Sequence, residues 1–179
     1  LNPSSAASDV YKRQNLGLRT INCCRICNRL CCRAVVLQTI FRVKRYGLIG
    51  YPLAHSFSPS FFNEKFSKRN LDATYESIEI EDLSNAIPHF EFSLYHGLNV
   101  TIPHKERIIS FLDGLSNEAQ LIGAVNCIEI SGGQLIGHNT DWIGFKRAIE
   151  PLIKPYHQSA LVLGSGGSSK AIRLSLIHI

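Results

Sequence analysis

A chain of 179 residues holds one ordinary domain, or one and the opening of another. Its net charge of +5 invites a nucleic-acid reading, but the charge is segregated: residues 1–45 carry nine Lys/Arg against one Asp, and residues 46–179 carry ten against thirteen Asp/Glu. The part that reads as folded is mildly acidic and has no interleaving of basic and aromatic residues, which argues against a nucleic-acid binder, and no apolar run reaches the length of a membrane span.

Residues 1–43 show neither a sustained helical period nor strand alternation, and five of the six cysteines crowd there, at Cys23, Cys24, Cys27, Cys31 and Cys32. Cys24 and Cys27 have a spacing that zinc accepts, but no second Cys or His pair completes a tetrahedron, so no metal is expected. The chain also contains no methionine. The stretch 1–43 is therefore expected to be a non-native or disordered leader outside the fold. With Cys127 the one cysteine of the remainder, a reducing cytoplasm is the expected compartment.

From residue 46 the pattern becomes regular. Residues 46–50 read as a buried strand, and Ser58-Pro59 opens a helix to about residue 69, with Ser58 as N-cap and Pro59 at the first helical position. A second strand alternates over 73–80, a helix interrupted by Pro88 is expected over 81–92, and a third short strand over 98–102. Pro103 is expected to start a helix reaching residue 112, and 116–121 forms another short one. Residues 124–130 and 134–137 flank Gly132-Gly133 as a hairpin. Asp141 can cap a helix to about residue 153, and 160–163 is an apolar strand that runs into Gly164-Ser165-Gly166-Gly167. Alternating strands and helices predict an α/β protein: a small α/β domain over 44–140, followed over 141–179 by the truncated start of a Rossmann-like dinucleotide-binding domain.

The chemistry-bearing residues are small hydrogen-bonding groups at strand ends. Ser56 and Ser58, two apart in an extended segment, would turn both hydroxyls to one side and grip a carboxylate; a turn and a helix cap are the bland roles. Asn99 and Thr101 repeat that spacing at the end of a strand, where ligands of open α/β sheets bind and where strand-end capping is the alternative. Lys105 is a solvated charge or, beside a carboxylate in a closed cleft, an acid/base. Asp141 supplies that carboxylate, or caps a helix, or does both with its two oxygens. Asn126 is a buried turn amide or a further hydroxyl reader. Gly164, Ser165, Gly166, Gly167 and Ser168 follow a strand and precede a helix, the context of a dinucleotide loop, though Ser169 stands where the sixth position is usually Gly or Ala. Lys170 is followed by Ala171, so the loop is not a P-loop.

The set G-x-P-x-x-H-S-x-S-P from Gly50, N-V-T-x-P-x-K from Asn99, A-V-N, N-T-D and G-x-G-G resembles shikimate dehydrogenase, from about residue 44 to 172. The resemblance implies NADPH-dependent, reversible reduction of 3-dehydroshikimate to shikimate in aromatic amino-acid biosynthesis. It implies that Ser56 and Ser58 bind the substrate carboxylate, that Asn99, Thr101, Asn126 and Asp141 contact ring hydroxyls, and that Lys105 and Asp141, both at the substrate, form the catalytic pair. NADP would lie on 164–168, and the protein would be a monomer or homodimer. A quinate/shikimate dehydrogenase using NAD, and a non-catalytic small-molecule binding module, are the alternatives. His138 departs from the acidic residue that many relatives carry before N-T-D. Twelve residues follow Gly167, without the second strand that reads the ribose about 20 residues on. These 179 residues alone are therefore expected to show no dehydrogenase activity.

Overall fold

A computed structural model describes residues 43–179, which fall in one compact unit. The expected leader, Val43 aside, and its Cys24–Cys27 spacing lie outside the described residues.

The framework is a six-stranded sheet in the order β2-β1-β3-β5-β6-β4. Strand β1 (Lys44–Gly50) lies between β2 (Ala73–Glu79) and β3 (Gly97–Val100), parallel to both. Strand β5 (Cys127–Ser131) runs antiparallel to β3 and to its hairpin partner β6 (Gln134–His138). The two-residue loop between them has Gly132 and Gly133 at φ 59° and 80°, the type I′ signs that L side chains resist. A short β4 (Gly114–Leu115), not foreseen from the sequence, pairs parallel to β6.

This topology positions the site. Strands β1, β2, β3 and β6 end at one edge of the sheet, and β5, running the other way, begins there. Residues that follow β1, β3 and β6, and the residue that precedes β5, therefore meet at that edge although they span 51 to 141 in the chain.

Each face of β1 is covered. Ile49 joins Leu98, Val100, Ile108, Val125 and Ile128 in the larger core, while Leu48 faces Leu53 and Tyr75 under Phe62 and Phe66 of α1 (Ser58–Lys68). Burial on both faces explains why the end of β1 reads as a continuous apolar run rather than an alternation.

Several expected elements differ. Ser58 does not cap α1: Phe57, at φ −73° and ψ −23°, holds the cap position, and Ser58 and Pro59 are the first two helical residues. The helix expected over 81–92 is a single turn, α2 (Leu83–Ala86), followed by 3₁₀ turns at Ile87–His89 and Phe92–Leu94. Pro88 has no N–H to continue the α ladder. Residues 102–103 and 105–106 are turns, and Arg107–Phe111 is a 3₁₀ helix. Here the Lys105 carbonyl accepts from Val125 N–H at 2.7 Å, and Ile109 N–H donates instead to Glu106 O, three residues back.

Helix α3 (Asn117–Ile122) forms as expected, capped by Ser116 through Ala119 N–H at 3.2 Å. Helix α4 is shorter than expected, Asp141–Ile149, with a 3₁₀ turn at Glu150–Leu152 carrying Pro151.

The strand expected over 160–163 is absent. A strand needs a ladder partner, and no described strand pairs with it; Leu161 and Leu163 are 85% and 84% exposed. The glycine loop still leads into a helix, α5 (Gly167–Ile177), which packs Ala171 against Ile122 and Ala124 with Trp142 and Leu174 around them. Ser175 Oγ donates within this contact, 2.6 Å from Trp142 O and 2.9 Å from Ala171 O.

Candidate active site

Lys105 is placed by its backbone. On one side of it His104 is fully buried, its Nε2–H donating to Ile80 O at the end of β2, while the Lys105 carbonyl is held by Val125 on the other side. A ring nitrogen facing a carbonyl must carry the proton, so Nε2 is the donor. The side chain of Lys105 is 13% exposed, and its Nζ donates to Asp141 Oδ2 at 2.6 Å and to Ser168 Oγ at 3.1 Å. Lys105 is therefore a held ammonium in a part-buried site and not a solvated surface charge.

Asp141 does not cap α4. It is the first helical residue: Thr140 holds the cap position without a side-chain cap bond, and Asn139 Oδ1, one residue earlier, accepts from Asp141 N–H at 3.0 Å. Both Asp141 carboxylate oxygens are thereby released: Oδ2 takes Lys105, and Oδ1 accepts from Asn126 Nδ2 at 2.7 Å.

Asn126 is the hub of this edge. Its Nδ2 also donates to Thr140 Oγ1 at 2.9 Å, and its Oδ1 accepts from Thr140 N–H at 2.9 Å. Its own main chain is locked between Val100 N–H and His138 O. Asn99 joins through Nδ2, 3.4 Å from Asn126 O, and its Oδ1 accepts from the Tyr75 hydroxyl at 2.8 Å. Burial first, then the negative charge that Cys127 can carry, pushes the Tyr75 phenol well above its ordinary range, while the Ser58 side chain beside it acts the other way. A continuous run of polar contacts thus links Ser58, Tyr75, Asn99, Asn126, Asp141, Lys105 and Ser168.

Ser56 and Thr101 stand outside that run. Thr101 follows β3 with Asn99, Leu98 and Val100 being buried and Asn99 half-buried, so the two-residue spacing does place Asn99 and Thr101 on one face. The same argument fails for Ser56 and Ser58. The segment between them turns instead of extending, because Ser56 N–H closes a turn onto Leu53 O at 2.9 Å and Phe57 is already helical. Tyr75 was missed by sequence reasoning. A tyrosine inside an otherwise amphipathic strand carries no local mark of a polar duty, whereas Asn139 and Thr140 lie within the N-T-D motif.

The glycine loop lies against Lys105. A Cβ on Gly167 would come 2.9 Å from Ala124 Cβ and 3.0 Å from Lys105 Cβ, so only glycine lets the start of α5 approach this closely. Gly164 has φ 119°, a conformation that side chains rarely adopt. A cleft runs between this loop and the 102–106 turn, lined by Ile102, Pro103, Lys105, Glu106 and residues 166–169. Lys170 pairs with Glu106 across it. The first turn of α5 has no side-chain cap and no acidic residue, leaving its N–H groups for an anion. The bare cradle and the uncapped amides fit a pyrophosphate. Gly167→Ala is expected to cost about 1–3 kcal/mol of stability through overpacking and to shift the Lys105 side-chain resonances; thermal melts and NMR of the variant check both.

An open α/β sheet whose strand ends gather Lys105, Asp141 and two asparagines, with a glycine loop and an uncapped helix beside them, defines the class: an α/β protein of the kind that binds ligands beyond the carboxyl ends of its strands. Residues 48–128 match the family model of the shikimate dehydrogenase substrate binding domain. The chain is a relative of the shikimate dehydrogenases. It is 43% identical over 137 residues to the shikimate dehydrogenase (NADP(+)) of Pyrococcus abyssi, matching 76% of this chain and 52% of that protein. The crystal structure of shikimate dehydrogenase 1 from Peptoclostridium difficile superposes with TM-score 0.70 at 37% identity, over 76% of this chain and 52% of that one. The Thermus thermophilus shikimate 5-dehydrogenase, solved in complex with NADP(H) and shikimate, gives TM-score 0.68 at 35% identity over 76% and 52%. The chain spans about half the length of the relatives it matches. Among the described residues no helix is long and apolar enough to cross a membrane.

Proposed function

We propose that residues 44–140 are the substrate-binding domain, and residues 141–179 the opening of the NADP-binding domain, of a shikimate dehydrogenase that interconverts 3-dehydroshikimate and shikimate. The observation that carries this reading is the Lys105–Asp141 pair, at 2.6 Å, whose lysine also lines the cleft walled by the glycine loop. When bound, NADPH supplies the hydride for the carbonyl carbon. Everything else falls to the chain. Ser56 and Ser58, on the turn into α1, hold the carboxylate on the strength of the family motif and not of an extended spacing; Asn99, Thr101 and Asn126 accept from or donate to the ring hydroxyls. Lys105 delivers a proton to the carbonyl oxygen, and in the reverse direction takes one from the hydroxyl. Asp141 holds the ammonium in line and keeps it from solvent. The amides of 164–168 and the start of α5 receive the pyrophosphate. A cytoplasmic protein agrees with Cys127 being a free thiol, the one cysteine among the described residues.

Shikimate titrated into the chain, followed by calorimetry and by the side-chain amide resonances of Asn99 and Asn126, tests the substrate half without needing the cofactor. Saturable binding that moves both amides is expected. A flat titration, or equal response to any cyclic carboxylate, would overturn the reading. Parallel titrations with quinate, and turnover with NAD against NADP in a full-length enzyme carrying this site, separate it from a quinate/shikimate dehydrogenase.

A further inference from the structure

Asn99 can read a ring hydroxyl only if a defined edge of its carboxamide faces the cleft, because one edge accepts and the other donates. Two neighbours decide which. The Asn126 carbonyl is an acceptor and so attracts Nδ2, but at 3.4 Å that contact is long. The short contact is on the other side, where the Tyr75 hydroxyl lies 2.8 Å from Oδ1. We propose that Tyr75 is a positioning residue for substrate recognition, its hydroxyl fixing the Asn99 carboxamide with Nδ2 available to a ring hydroxyl. The inference rests on the substrate reading above and deepens it.

The phenol is built to hold one place. Tyr75 is the buried member of β2, 5% exposed. Its N–H and C=O are both taken by one side chain, Asn63, whose carboxamide accepts from Tyr75 N at 2.9 Å and donates to Tyr75 O at 2.7 Å. That pair imitates a neighbouring strand at the sheet edge, since β2 ends the strand order. The Phe62 ring stacks on the phenol at 4.6 Å with planes 15° apart. Ser58, Phe62 and Asn63 share the face of α1 turned to β2, so one helix fixes the ring, its main chain and the group beside its oxygen. Burial also keeps the phenol protonated, hence a donor, across the working range.

A role through Asn99 differs from a purely structural one in its ligand dependence. Shikimate and 1-cyclohexene-1-carboxylate, which keeps the carboxylate but lacks ring hydroxyls, are titrated into the wild-type chain, Tyr75→Phe, Asn99→Ala and the double variant. Tyr75→Phe is expected to weaken shikimate about fivefold to tenfold while leaving the hydroxyl-free acid within about twofold. In the Asn99→Ala background the same change should weaken shikimate no further. Equal weakening of both acids, no weakening of shikimate, or an undiminished effect without Asn99 would overturn the proposal. Should the wild-type chain bind no shikimate, the substrate reading falls. The positioning claim is then decided by NMR of the free protein, in which Tyr75→Phe should broaden or double the Asn99 side-chain amide signals. Unchanged signals would reject it. If Tyr75→Phe does not fold, the wild-type phenol proton decides: slow exchange and a cross-peak to Asn99 support the contact, and a fast-exchanging proton rejects it.

Discussion

In a full-length enzyme carrying this site, Lys105→Ala is expected to lower turnover about 10²–10⁴-fold while changing shikimate affinity by less than about tenfold. The asymmetry follows from what the ammonium touches. Its donors go to Asp141 Oδ2 and Ser168 Oγ, so in the free site its charge is already compensated and a ground-state hydroxyl adds one neutral hydrogen bond. Charge develops on the substrate oxygen only as hydride arrives, and that is when a proton donor on a part-buried side chain matters most. Lys105→Arg should not rescue the rate, since a guanidinium keeps its proton and its planar fork does not fit the space of a compact ammonium. Steady-state kinetics together with direct binding would check this. Comparable losses in affinity and turnover would assign Lys105 to binding alone.

The convergence of the site was legible to the extent that it depended on strand ends. Asn99, Thr101, Asn126 and Asp141 each sit one or a few residues from a strand boundary, and a sheet whose parallel strands end where the antiparallel β5 begins must gather them. Period and punctuation in the sequence mark such boundaries. They do not mark where a helix has a tertiary competitor. The 103–112 helix loses its α ladder because Val125, twenty residues on, takes the Lys105 carbonyl. Nor do they say whether a strand finds a neighbour, and residues 160–163 have the composition of a parallel core strand without a described partner. Cap assignment failed for a related reason. Ser58 and Asp141 are both good cap residues, yet Phe57 occupies the first cap position and Thr140 the second, while Asn139 takes the Asp141 N–H and leaves the Asp141 carboxylate to its neighbours. Tyr75 was illegible because its polar role comes from a register, Tyr46 opposite Tyr75 and Leu48 opposite Asn99, that no single segment contains.

Asn126→Ala is expected to destabilise the described unit by about 2–4 kcal/mol, a fall in melting temperature on the order of 10 °C, and to disable the site as well. The side chain is 9% exposed and joins three partners at once: Thr140 through N–H and Oγ1, and Asp141 through Oδ1. Removing it leaves the Thr140 N–H without its acceptor and strips one donor from a part-buried carboxylate, so the cost is that of unsatisfied groups and not only of lost bonds. The carboxylate would then be held by Lys105 alone, and the geometry of the pair would loosen. Thr140→Ala provides the contrast. It removes only the hydroxyl partner at 2.9 Å, keeps the N–H contact to Asn126, and should cost about 0.5–1.5 kcal/mol with most turnover retained. Melting curves and kinetics of the two variants together make the comparison. If Thr140→Ala were as damaging as Asn126→Ala, the hub would lie on the threonine and not on the asparagine that bridges β3, β5 and α4.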